Sequence, residues 1–198
     1  ASTGNGELLV IDPETGRTIR EFHDHKGRLT AIQSSPDGKN VLTAETNGKV
    51  VIRDASSWEL VAEATLIRPG EQLEGASWRP NSREFVVHYW YPKNGPRVYA
   101  LGPDGVHEVW ELSDGQRHAA FSPDGLWLAT FSPPRPGSDK DALSLLTILD
   151  VQTRSTRKQC ALPVHDAVSL RWSPDGQLVA IGSLQSAHVW NWQNSDTT

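Results

Sequence analysis

Residues able to do chemistry are few in this chain, and the most conspicuous set repeats. Ser-Pro-Asp-Gly stands at 35–38, 122–125 and 173–176, and a worn copy, Arg-Pro-Asn-Ser, stands at 79–82. A carboxylate beside a hydroxyl could bind calcium, but that ion needs six to eight oxygens converging on one point. Pro36, Pro80, Pro123 and Pro174 are spaced by 44, 43 and 51 residues, so each copy belongs to a different repeat. Asp-Gly between apolar stretches is instead the strongest short hairpin signal, with the Asp accepting from the turn's own amides. The histidines are His23, His25, His88, His107, His118, His165 and His188, and no pair has the spacing of a helical metal motif. His23-Asp24-His25 is the one metal candidate by spacing, and two loop ligands without a third carboxylate read better as a capped turn. Cys160 is the single cysteine, which excludes an intramolecular disulfide and a cysteine-based metal cluster. It stands in an apolar strand stretch, where an inert thiol is expected. No Gly-x-Ser-x-Gly elbow occurs. No catalytic residue, metal or cofactor is expected.

The elements that must position these residues are short strands. Each repeat holds four stretches rich in Val, Ile, Leu and aromatics, separated by Gly, Pro, Asn or Asp. From His25 they are 29–35, 40–45, 49–55 and 60–66, a four-stranded antiparallel meander. Two further units follow, then three strands of a last one, while 7–12 and 17–22 supply a third and fourth strand at the start. Seventeen strands are expected, in a partial unit 1–24, units of about 25–68, 69–114 and 115–163, and a partial unit 164–198. Units that cannot bury both faces alone must stack, and radial stacking is the all-β solution.

Composition narrows the function classes. With 198 residues, 37% hydrophobic, the chain is long enough to fold on burial alone. No apolar run approaches the roughly 20 residues of a membrane-spanning helix. A formal charge of -5 gives no support for nucleic-acid affinity, which draws on clustered Lys and Arg. The lone cysteine and the absence of a charged-then-apolar leader favour a reducing, cytoplasmic setting, although a leader already removed leaves no trace. The sequence contains no Met, and is read as a piece of a longer protein.

These features together resemble the WD-repeat β-propeller family. The family pattern has a His before the first strand, an apolar strand ending near Ser-Pro-Asp-Gly, and a third strand ending Trp-Asp. His25 stands ten residues before Ser35, and His165 precedes Ser173. Ile11-Asp12, Arg53-Asp54, Leu149-Asp150 and Trp190-Asn191 occupy the Trp-Asp position. The resemblance implies an all-β propeller of four to five blades, part of a ring that most often has seven. The family's polar set joins the loop His, a second-strand Ser or Thr, a turn Asp and the third-strand Trp. Asn47-Gly48 and Gln185-Ser186 interrupt it here, so strand packing is expected to dominate over polar networks. Four closed blades need sixteen strands and five need twenty. Seventeen imply further residues, self-association or a partner chain that completes the ring.

Function on a repeated scaffold is expected where the repeats differ. Two consecutive units lengthen the loop between the second and third strands, at 89–97 and 132–141. In the family's topology these loops are neighbours on one face. Together they would present Tyr89, Trp90, Tyr91, Lys93, Arg97, Arg135 and Lys140, with His118 and His165 near the same rim. Tyr, Trp and Arg dominate interface energetics. Strand alternation alternatively places one or two of Tyr89, Trp90 and Tyr91 in the core. The expectation is a non-enzymatic interaction or scaffold module that binds a protein partner, or other domains of its parent chain, and neither nucleic acid nor membrane. The alternative is an enzyme or small-ligand propeller with polar groups converging in the central channel.

Overall fold

The computed structural model describes residues 4–90, 95–113, 115–134, 139, 142–164 and 167–194. All the regular elements among them are strands. β1 (Leu8–Ile11) and β2 (Thr18–Phe22) form a two-stranded sheet. β3 (Leu29–Ser34), β4 (Asn40–Glu45), β5 (Lys49–Asp54) and β6 (Leu60–Thr65) form the first four-stranded blade. β7 (Gln72–Trp78), β8 (Glu84–Trp90), β9 (Arg97–Gly102) and β10 (Gly105–Glu111) form the second. β11 (His118–Phe121), β12 (Trp127–Ser132), β13 (Ser144–Asp150) and β14 (Thr156–Leu162) form the third. β15 (Ala167–Trp172), β16 (Leu178–Ser183) and β17 (Ala187–Asn191) close the series as three strands. Within every sheet the strands run antiparallel in sequence order.

Local chemistry makes the hairpins. In the first blade Asp37 Oδ1 accepts from Ser35 Oγ (2.6 Å) and the Lys39 amide (3.1 Å), and Ser35 Oγ accepts from the Asn40 amide (2.9 Å). Ser122-Asp124 and Ser173-Asp175 repeat this pattern. Gly125 closes its turn at φ 71°, a left-handed conformation in which a Cβ is strained. The worn copy keeps the same turn with other residues: Asn81 Oδ1 accepts from the Arg83 and Glu84 amides, and Ser82 takes φ 57°. Aspartates at the ends of third strands cap the following turns. Asp54 Oδ1 accepts from the Ser56 and Ser57 amides and the Ser56 hydroxyl, which hold its carboxyl down at about 2.

The core lies in the seams between blades rather than within any one of them. One cluster joins the first blade to the second through Leu42, Ile52, Leu73, Phe85 and Tyr89. Another joins the second to the third through Val86, Val98, Phe121 and Leu128. A last one joins the third to the final sheet through Phe131, Leu146, Ile181 and Trp190. The two faces of β8 thus feed different seams, since successive side chains alternate. A similar polar tie accompanies the first and the last of these seams. Trp78 Nε1 donates to the Gln33 carbonyl (3.2 Å), and Trp172 Nε1, one repeat pair later, donates to Ala120 (2.8 Å).

The first blade keeps more of the polar set than its turn residues led us to expect. His25 Nε2 is 2.8 Å from Thr43 Oγ1, which in turn donates to the Val51 carbonyl (3.3 Å). Glu45, two residues ahead of Asn47, brings the acidic group: its Oε2 lies 3.3 Å from His25 Nδ1, close but not aligned as a hydrogen bond. Burial holds the His25 ring below the ordinary imidazole range, against the pull of Glu45 and Asp24. At the third-strand Trp position Arg53 makes a forked pair with Asp24 and lies 4.5 Å over the Phe22 ring.

Candidate functional site

The residues singled out in the sequence separate into distinct environments. Tyr91, Lys93, Arg135, Lys140 and His165 lie outside the described residues. Trp90, at the end of β8, is half exposed (50%). Tyr89 and Arg97 are in the core, not on the rim, with 1% and 2% of their surface exposed. Alternation along β8 turns Tyr89 inward, where its hydroxyl donates to the Leu66 carbonyl of the first blade (2.9 Å) and meets Tyr99 Oη (3.2 Å). Burial pushes both phenols up from the ordinary range. Arg97 can be buried because Glu71, in the loop before β7, supplies its counter-charge and the Tyr89 ring lies 4.1 Å from its guanidinium.

The described ends of the two departures from the repeat period border one shared segment, Leu112 and Ser113. The Leu112 amide donates to the Pro96 carbonyl (2.9 Å), and a Cβ on Gly95 would fall 2.4 Å from the Ser113 carbonyl oxygen. The end of the first long loop therefore packs on the segment leading into the third blade. Ser113 is also a wall of a cavity of about 400 Å³ completed by Ser132, Pro133, Pro134, Leu143 and Leu145. Leu143 is 50% exposed and Leu145 40%.

His118 faces the central channel. The first strands β3, β7, β11 and β15 lie innermost, and residues from all four line a cavity of about 600 Å³. Sequence spacing left His23-Asp24-His25 as the one metal candidate, yet here it is Glu74, His88 and His118 that bring one ligand atom each to within 4.8 Å of one another. His88 and His118 stack edge to face at 5.3 Å, and Arg171 lines the same cavity. The channel is therefore not lined by small and apolar side chains alone. By contrast, His23, Asp24 and His25 do not converge: His23 contacts Glu21, Asp24 holds Arg53, and His25 bonds Thr43.

Strand register explains this convergence. A shift in the pairing of β7 with β8 falls between Leu73 and Gly75, leaving Glu74 without a cross-strand partner. Such a bulge re-aims a side chain. Thr30 and Val168 occupy the same break in β3 and β15, and both also line the cavity. The next cross-strand pair is Ala31 with Ala44, Gly75 with His88, His118 with Phe131, and Ser169 with Gly182. A Cβ on Gly75 would sit 2.6 Å from His88 Nε2, so the missing side chain makes the room for this ring. Aligning the repeats by register, rather than scanning for motifs, exposes the two histidines as departures from a position otherwise held by small residues or Phe.

Comparison with known proteins agrees with the architecture. The profile of the family "WD domain, G-beta repeat" matches residues 16–54 and 156–191. WD repeat-containing protein 90 of Xenopus tropicalis is 30% identical over 210 residues, covering 96% of this chain and 11% of that protein. Elongator complex protein 1 of Drosophila melanogaster is 21% identical over 225 residues, covering 91% of this chain and 18% of that protein. The chain thus spans a small fraction of these relatives' length. Among solved structures, the β-propeller domain of Cps50 (Swd1) from Myceliophteria thermophila superposes with a TM-score of 0.75 at 18% identity, over 94% of this chain and 58% of that one.

Proposed function

We propose that this chain, which is a WD-repeat β-propeller, docks a protein partner on the rim where its repeats depart from their period. Propellers of this family generally serve as interaction scaffolds. The observation that supports the reading is a neighbour common to the two departures: Gly95 and Pro96 pack on Leu112 and Ser113, and Ser113 walls the cavity that Pro133, Pro134, Leu143 and Leu145 complete. Half-exposed Trp90 opens the first of these loops. A rigid aromatic anchor and proline-stiffened apolar walls each bury area with little loss of conformational freedom. Buried Tyr89 and Arg97 act beneath this surface by holding β8 and β9 in place, and Lys93, Arg135 and Lys140 would add charge around it. The edges of the two- and three-stranded sheets are where further chain or a partner would continue the ring.

A photo-crosslinking residue placed at 90, 143 or 126 tests this. Leu126 is an equally exposed apolar residue in a β-hairpin turn (58%). The reading expects one protein to be captured from both 90 and 143, and not from 126. Capture from 126 alone, or different proteins from 90 and 143, overturns it.

A further inference from the structure

We propose that Glu74, His88 and His118 form a binding site for a divalent transition-metal ion of the zinc class, with an open position facing the central channel. Two imidazoles and one carboxylate are a borderline donor set that suits zinc better than calcium or magnesium, which take oxygen ligands. Three protein ligands with a fourth position left to solvent is the arrangement of an open zinc centre.

The geometry is close to what such an ion requires. Zinc bonds of about 2.0–2.2 Å in a tetrahedron put ligand atoms about 3.4 Å apart, and here all three lie within 4.8 Å of each other. His118 is already oriented as a metal ligand is: its Nε2 is 2.8 Å from the Ala167 carbonyl oxygen, so that nitrogen carries the proton and the lone pair rests on Nδ1. His88 Nδ1 is enclosed and has no hydrogen-bond partner among the described residues. A buried nitrogen left unsatisfied calls for an explanation, and a ligand in the cavity supplies one. Glu74 reaches this point because the β7 bulge frees it, and His88 because Gly75 has no side chain. Arg171 shares the cavity and carries like charge to the ion, but its Nη1 donates to its own strand at the Leu170 carbonyl (2.8 Å). A second cluster, Glu7, Glu21 and His23, has its ligand atoms equally close. It is mostly exposed and offers one imidazole, and so serves as the control.

Calorimetric titration of the metal-free protein with zinc, paired with cobalt(II) absorption, decides the matter. One ion should bind per chain, with the visible bands of tetrahedral cobalt. Glu74→Gln, His88→Gln and His118→Gln should each weaken binding at least about 10-fold, while His23→Gln should leave it unchanged. Zinc should raise the thermal midpoint of the wild type and not that of Glu74→Gln. The partly exposed Glu74 and His88 keep the test open even if the buried His118 variant does not fold. Absence of the cobalt bands, unchanged affinity in Glu74→Gln and His88→Gln, or loss of binding in His23→Gln overturns the assignment.

Discussion

Arg97 on β9 and Glu71 in the loop before β7 form an ion pair whose side chains are 2% and 6% exposed. Glu71 Oε2 also accepts from the Arg68 amide (2.7 Å), while Glu71 Oε1 and Arg97 Nε have no partner among the described residues. Both charges are thus withdrawn from water with some of their bonding capacity unused. Removing one partner would leave the other buried and uncompensated, and Arg97→Met is expected to destabilise by about 3–5 kcal/mol. The double change Arg97→Met with Glu71→Leu should recover most of that loss. Urea unfolding of the single and double variants measures it. A double variant no more stable than the single would mean that Arg97 contributes mainly through its packing on Tyr89.

The hairpin turns give a contrast between two left-handed positions. Gly125→Ala puts a Cβ at φ 71° and 3.3 Å from Arg79 Nε, and should destabilise by about 1–2 kcal/mol. Ser82→Gly relieves a similar strain at φ 57°. It also removes a hydroxyl that accepts from the Asp37 amide of the neighbouring blade (3.0 Å), a bond contributing about 0.5–1.5 kcal/mol. The two effects oppose, so Ser82→Gly should change stability far less than Gly125→Ala. Chemical denaturation of both variants side by side is the check.

His25 makes folding sensitive to acid. Its ring is held below the ordinary range by burial, with Glu45 and Asp24 pulling the other way and Lys49 adding to the depression. A histidine less basic in the folded state takes up its proton first in the unfolded chain. Stability from this site is therefore complete above about pH 6.5 and falls as pH drops below that value, by at most about 1.4 kcal/mol per pH unit. Denaturation midpoints at pH 7.5 and 5.5 should show a smaller drop for His25→Gln than for the wild type. Equal drops would assign the acid sensitivity elsewhere.

Tyr89 and Tyr99 should not ionise while the protein is folded, since burial raises both. Ultraviolet titration should show their phenolate signal arising only with alkaline unfolding. Tyr89→Phe should also lower stability by about 1–3 kcal/mol, because the enclosed Leu66 carbonyl and Tyr99 hydroxyl lose a partner. A signal from two phenolates before unfolding would contradict the burial seen here.

Seventeen strands, their grouping into repeats and the nature of the Ser-Pro-Asp-Gly turns could be read from residue order. These depend on short-range rules: alternation along a strand, a carboxylate capping its own turn, a glycine where φ is positive. Even Arg-Pro-Asn-Ser at 79–82 obeys them, with Asn81 and Ser82 standing in for Asp and Gly. Family resemblance could be read for the same reason, since its motifs are those turns. Burial could not be read so far. Strand alternation places one or two of Tyr89, Trp90 and Tyr91 in the core without saying which, and gives no sign that Arg97 is buried; the seam between the first two blades, with Glu71 inside it, withdraws Tyr89 and Arg97 and leaves Trp90 at the surface. The channel cluster needed still more. Glu74, His88 and His118 come from three strands of two blades and meet because a bulge, a glycine and the radial stacking of inner strands act together. No spacing along the chain encodes that meeting, because the distances that matter run across the ring and are set by how the blades pack.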